Sequence, residues 1–198
     1  MEISAGMVRD LREKTGAGMM DCKKALQDTD GDMDKALDLL RQKGLAKAMK
    51  RAGRAATEGM VHAYIHGNGR LGVLVEVNCE TDFAAKSEDF VEFTKNVAMH
   101  IAASNPLGIQ PEDIPAEVIE RERAIYMAQA QESGKPENIL EKMVDGKMRK
   151  FYEEVVLMQQ KYVKDQDKTV QDYLNELIAK VGEKIMVRRF TRFQLGSE

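Results

Sequence analysis

The chain has 198 residues, 43% of them hydrophobic and 32% charged, with a net charge of −3. That is the balance of a helix-rich globular protein large enough for one or two domains, and it gives no global reason to expect nucleic acid or a membrane as partner. No apolar run approaches the roughly 20 residues that span a bilayer. The N-terminal MEISAGMVRDL carries charge too early for a signal peptide, and Cys22 and Cys79 stand far apart in unlike contexts. Two reduced thiols and a cytoplasmic setting are expected.

In chain order, residues 4–44 read as three short helices. Ser4 caps the first, in which Met7, Val8 and Leu11 share a face. TGAG at 15–18 is a turn, and a second helix follows from about Met19 to Gln27. Asp32 caps a third, carrying Met33, Ala36, Leu37 and Leu40, and Gly44 is placed as its stop. Three helices this short form a marginal core, so residues 1–45 are predicted to be a small docking domain. At about 100° per residue, Met19, Cys22, Ala25 and Leu26 of the second helix fall on one side, toward the core. Met20, Lys23 and Gln27 fall opposite, and an exposed Met beside a Lys is either a contact surface or a stray surface residue.

Residues 46–58 are a basic helical linker: LAKAMKRAGRAAT, 45–57, holds Lys47, Lys50, Arg51 and Arg54 and no acid. No aromatic interleaves these charges for base stacking, so a solvated linker outweighs an RNA-binding segment. The rest, 59–198, is predicted to be an α+β core domain. GMVHAYIH and RLGVLVEVN flank a Gly67-Asn68-Gly69 turn and form an antiparallel hairpin. His62 and His66 share a strand face, but without a third ligand they read as surface histidines rather than a metal pair. Ser87 caps a helix bearing Phe90, Thr94, Val97 and Ile101, and the proline-rich SNPLGIQPEDIP, 104–115, is a connector.

A helical pattern runs from Ala116 to about Gln160, broken by SGKP at 133–136, where Gly134 ends one helix and Pro136 starts the next. Ile139, Met143, Phe151, Val155 and Met158 recur along the second arm of this helical hairpin. It either protrudes to a partner or packs on its own domain. Thr169 and Asp172 form a capping-box variant before Val170, Leu174, Leu177 and Val181. IMVRRFTRFQL, 185–195, is the third strand of a small antiparallel sheet, with a parity shift near Arg189 that marks a bulge.

No catalytic constellation emerges. GAGMMDCKK lacks the P-loop spacing, Cys79 has no His partner in sequence, and no Cys/His cluster has metal-site spacing. No metal, cofactor or enzymatic activity is expected. One stretch stays open: in NCETDFAAK, 78–86, an acid and a large aromatic stand side by side where a strand ends. Either Asp82 caps a helix and Phe83 packs inside, or the pair is presented to a partner.

Several stretches together resemble one family. TGAGMMDCKKAL at 15–26, EVNCETDF at 76–83, HIAASNP at 100–106 and SGKPENILEKMVDGKMRKF at 133–151 are similar, in family order, to bacterial translation elongation factor Ts. The resemblance covers nearly the whole chain. It implies a guanine-nucleotide exchange factor for elongation factor Tu in protein biosynthesis, with a ubiquitin-associated-like three-helix domain and an α+β core bearing a helical hairpin at about 116–160. It also implies site roles. Thr81, Asp82 and Phe83 match the family's Thr-Asp-Phe signature, whose Phe wedges into the partner's GTPase domain near its magnesium, with Asp82 as positioner. Ala84 stands where the family commonly has Val and is kept in the wedge segment. Met19, Met20 and Lys23 match the N-terminal contact on the same GTPase domain. Longer relatives carry a duplicated core. This chain has one copy, like the short forms that pair, which implies a homodimer built through 59–78 and 185–195.

Two rival classes remain. One is an RNA-binding translation protein acting through residues 45–57 with Arg188, Arg189 and Arg192, which a steep salt dependence would support. The other is an adaptor using only the N-terminal domain, which leaves the core unexplained.

Overall fold

The computed structural model describes residues 3–51, 53–132 and 136–197. Its residues group into two units, one of Met1–Ala63, Leu74–Asn96 and Asp172–Phe190, the other of Tyr64–Val73, Val97–Gln171 and Thr191–Glu198. The fold is mixed α and β, with three N-terminal helices, a three-stranded antiparallel sheet and further helices.

The first helices are α1 (Ala5–Thr15), α2 (Met19–Asp28) and α3 (Met33–Arg51). Ser4 caps α1 by accepting the Met7 amide at 3.3 Å, and Gly16 closes it in a left-handed conformation at φ 64°. Asp32 caps α3 by accepting the Lys35 amide at 3.0 Å. Val8, Leu11, Cys22, Ala25, Leu26 and Ala36 are buried as one cluster. Burying a Leu completely stabilises by about 1.5–3 kcal/mol, so Leu11 and Leu26 anchor this small core.

Gly44 does not stop α3. The helix continues through it to Arg51, across the boundary placed at residue 45. A glycine ends a helix by turning left-handed, and Gly44 instead lies buried where a Cβ would stand 3.6 Å from that of Ala179. Good helix formers on both sides offset its roughly 1 kcal/mol propensity cost. The linker is therefore helical over its first part; the side chains of Lys47 and Lys50 lie outside the described residues.

The sheet has the order β1–β2–β5, with β1 at Glu58–His66, β2 at Leu71–Cys79 and β5 at Ile185–Gln194. The β1–β2 turn has positive φ at Gly67, Asn68 and Gly69, the residue types that accept it. Along β2, Val73, Val75, Val77 and Cys79 are buried. In β1 the half-buried positions are Met60, His62 and Tyr64, while Val61 and Ile65 on the other face are 65% and 66% exposed. β5 buries Ile185 and Val187, then exposes Arg188 and Arg189 in succession, the expected parity shift.

After β2 come α4 (Asp82–Ala85) and α5 (Glu88–Ser104). The Ser87 hydroxyl accepts the Phe90 amide at 3.3 Å, and Phe90, Thr94, Val97 and Ile101 are all buried. The connector includes one 3₁₀ turn at Pro111–Asp113. Then α6 (Ala116–Gln131) and α7 (Glu137–Val155) form the expected hairpin, whose own core is Ala130, Val144, Met148 and Phe151. Pro136 caps α7, and the predicted stop at Gly134 lies outside the described residues. The second arm ends at Val155, not near Gln160. Val156 is extended and forms a parallel bridge with Gly108, so Met158 lies beyond the helix.

A two-stranded ribbon that the sequence did not show, β3 (Lys161–Tyr162) with β4 (Asp165–Thr169), precedes α8 (Val170–Val181). Helix α8 starts directly after Thr169 and buries Leu174, Leu177 and Ile178, with Val181 half-buried. Near the ribbon, His100 is wholly buried: its Nδ1 accepts the Val163 amide at 3.2 Å, and its Nε2 faces Gln160 Oε1 at 2.9 Å. That pattern places the ring proton on Nε2.

Candidate functional site

The segment after β2 is built from Thr81 outward. Thr81 is the N-cap of α4, and its hydroxyl oxygen accepts the Ala84 amide at 3.2 Å. Its carbonyl accepts the Ala85 amide at 3.2 Å and the Cys79 thiol at 3.1 Å. Its own amide and hydroxyl donate to Glu183, at 3.0 and 2.7 Å. Ser87 Oγ donates to the Ala84 carbonyl at 2.7 Å and closes the far end of the turn.

On this frame Phe83 is 84% exposed, which decides the open question about the ring: it is not part of the core. Its neighbour Ala84 is 3% exposed and faces inward, so it anchors the segment instead of adding to its surface. Asp82 is also exposed, but its carboxylate pairs with Lys86 at 2.8 Å, one helical turn on. That bond holds the Asp82 carboxyl below its ordinary range. Burial pushes the Cys79 thiol up to about 11, so it remains a protonated donor to Thr81 and not a nucleophile.

The residue before the segment is tied as well. Glu80 accepts the Lys184 amide at 2.6 Å and pairs with Arg54 at 3.1 Å, and these bonds lower its pKa, the backbone bond most. Lys184 Nζ donates to the Arg54 carbonyl at 2.7 Å. Glu183 and Glu80 were not singled out from the sequence as site residues. Their partners lie 102 and 104 positions away, and no local pattern announces such pairs.

In α2, Met20 is 76% exposed and Lys23 is exposed, as the helical projection requires. Met19 is a correction: it is 60% exposed, not on the core side. It sits at the margin of the apolar arc and in the first helical position after Gly18, where the three-helix core does not reach it. All three predicted contact residues of this helix therefore face water. The two groups of residues predicted for the site are Met19, Met20 and Lys23 on α2, and Thr81 to Ala84 after β2.

Tyr64 Oη and His66 Nδ1 lie 3.0 Å apart, and no group of three or more potential ligands occurs among the described residues. No helix among them is long and apolar enough to cross a membrane.

Comparison with known proteins gives a consistent result. The family described as "Elongation factor TS" matches residues 47–197. The elongation factor Ts of Syntrophobacter fumaroxidans is 78% identical over 198 residues, covering 100% of this chain and 99% of that one. That of Desulfosudis oleivorans is 62% identical, with 98% of each chain covered. That of Geobacter sulfurreducens is 59% identical over 99% of this chain and 91% of its own. On this evidence the chain belongs to the elongation factor Ts family, known as the nucleotide exchange factor for elongation factor Tu.

Proposed function

We propose that this chain binds the GDP complex of elongation factor Tu in the cytoplasm, displaces its magnesium with the Thr81–Ala84 segment, and so promotes GDP release. The observation that carries this reading is the placement of Phe83, a large apolar ring 84% exposed on a segment whose backbone is anchored at both ends. An exposed aromatic costs solvation in the free protein and gains it back in a partner's pocket.

The physical logic is differential binding. Magnesium bridges phosphate and protein oxygens, so moving it removes the largest positive charge holding the nucleotide. A factor that prefers the nucleotide-poor state weakens GDP by the same factor by which GDP weakens it. Rebinding of nucleotide, mostly GTP, then expels the factor. No covalent step is required of this chain. In this reading Met19, Met20 and Lys23 supply a second contact on the same GTPase domain. Release of labelled GDP from elongation factor Tu, with and without the protein, tests the proposal; an unchanged rate at saturation defeats it.

The same reading takes the working form to be a homodimer. It is supported by the single core copy and by the outward apolar face of β1, where Val61 and Ile65 are exposed; Leu74 of β2 is 46% exposed. The RNA-binding alternative has less support. Arg189 is paired with Glu76 at 2.6 Å, and the Arg192 guanidinium donates to the Ala102 carbonyl at 3.3 Å.

A further inference from the structure

We infer that Glu183, in the turn between α8 and β5, is a positioning residue that sets the orientation of Phe83 for exchange; the inference rests on the exchange reading above. Helix α4 has only four residues, far below the length at which a helix holds itself together. Phe83 projects into solvent, so core packing does not fix its direction. The direction is inherited from the backbone at Thr81, and Thr81 is gripped by both oxygens of one carboxylate, at 2.7 and 3.0 Å. Two bonds from one rigid carboxylate fix an orientation where a single bond would leave a pivot.

The grip has a second jaw. Lys184, the next residue, donates its amide to Glu80, so consecutive residues of one turn hold consecutive residues of the other. Gly182, at φ 82°, gives the backbone the left-handed bend that opens this turn.

The clamp is at the surface: Thr81 is exposed and Glu183 half-buried. Exposed charged contacts contribute little to global stability. This one therefore matters through the fraction of molecules that present the ring correctly, because apparent affinity falls with the competent fraction. Glu183 touches neither nucleotide nor magnesium in this role and acts only through Thr81.

The test is a double-mutant cycle on GDP release from elongation factor Tu, using the full chain, with Glu183→Ala, Phe83→Ala and the two together. Glu183→Ala is expected to lower exchange at sub-saturating protein by about tenfold, with thermal midpoint close to wild type. On the Phe83→Ala background the same change should have little further effect, since there is no ring left to aim. In the free protein, amide exchange at Ala84 should accelerate in Glu183→Ala, a readout independent of the partner. Thr81→Val, which keeps volume and deletes the hydroxyl, is the second variant and should reproduce the fall. A wild type that accelerates release together with a Glu183→Ala variant of full rate overturns this inference alone. So does a fall of equal factor on both backgrounds. A wild type that leaves GDP release unchanged overturns the exchange reading, and this inference with it.

Discussion

Phe83 and Ala84 are neighbours in sequence and opposites in environment: the ring is 84% exposed and the adjacent methyl 3%. One turn of helix capped by Thr81 produces the contrast, turning one side chain in as the other turns out. Phe83→Ala should therefore leave the thermal midpoint nearly unchanged, because no core contact is lost. Its effect should fall on the partner, where an aromatic anchor typically contributes about 2 kcal/mol or more, roughly thirtyfold in affinity. A large fall in melting temperature with exchange intact would contradict both the placement and the role.

How much of this was legible in the sequence differs by element. The first and third helices were legible because their caps are local: Ser4 and Asp32 each bond an amide three residues on. The β1–β2 hairpin was legible from its Gly-Asn-Gly turn. The continuation of α3 through Gly44 was not, because the packing that keeps that glycine helical involves Ala179, far along the chain. Nor was the β3–β4 ribbon, whose strands have two and five residues and follow no alternation that period counting detects. At the site, Thr-Asp-Phe was found through family resemblance. The residue that holds it, Glu183, is a lone acid in a turn whose partner only the fold reveals.

Met20 and Lys23 stand outside the three-helix core, so replacing both with Ala should be silent in the free protein. Far-ultraviolet circular dichroism should be superimposable on wild type, while affinity for elongation factor Tu falls by roughly tenfold, the scale of a modest contact pair. Leu26→Ala is the informative contrast: it lies at 0% exposure and should cost about 2–5 kcal/mol of stability. Loss of helicity in the surface pair would mean that the faces of α2 are misassigned.

Gly44 and Gly59 should answer in opposite directions to the same substitution. A methyl at Gly44 meets Ala179 at ordinary contact distance within a helix, so Gly44→Ala should stabilise by about 0.5–1 kcal/mol. At Gly59, φ is +144° and a Cβ would stand 2.1 Å from the Val77 carbonyl oxygen. Gly59→Ala should cost about 3 kcal/mol or more through strain and displaced strand pairing. Chemical denaturation of the two variants beside wild type measures both signs.

His100 makes stability depend on pH in a defined direction. Burial lowers its pKa below the ordinary 6.5, against a smaller raising contribution from Gln160. Protonation would also place a hydrogen on Nδ1, facing the Val163 amide that it now accepts. As pH falls, the unfolded chain therefore takes up this proton before the folded one does. The associated stability is complete above pH 6.5 and is lost progressively below it. Urea midpoints measured from pH 8 to pH 5.5 should decline across the lower part of that range, and His100→Gln should flatten the decline. A wild-type midpoint constant over the whole interval would rule out a buried neutral imidazole.

The proposed homodimer is open to a direct test on β1. Its outward residues Val61 and Ile65 are apolar and exposed, while the histidine-bearing face is the partly covered one. The partly covered face also carries Met60 and Tyr64, so β1 has apolar residues on both faces and the outer pair is a candidate contact surface. A second copy related by a two-fold axis would cover it by an isologous contact, each β1 facing its counterpart. Light scattering at micromolar concentration should report about twice the 22.3 kDa chain mass. Val61→Lys with Ile65→Lys places four like charges across a two-fold seam and should yield monomers with the helical signal intact. If wild type is a monomer with full exchange activity, one core suffices and the apolar face of β1 serves another contact.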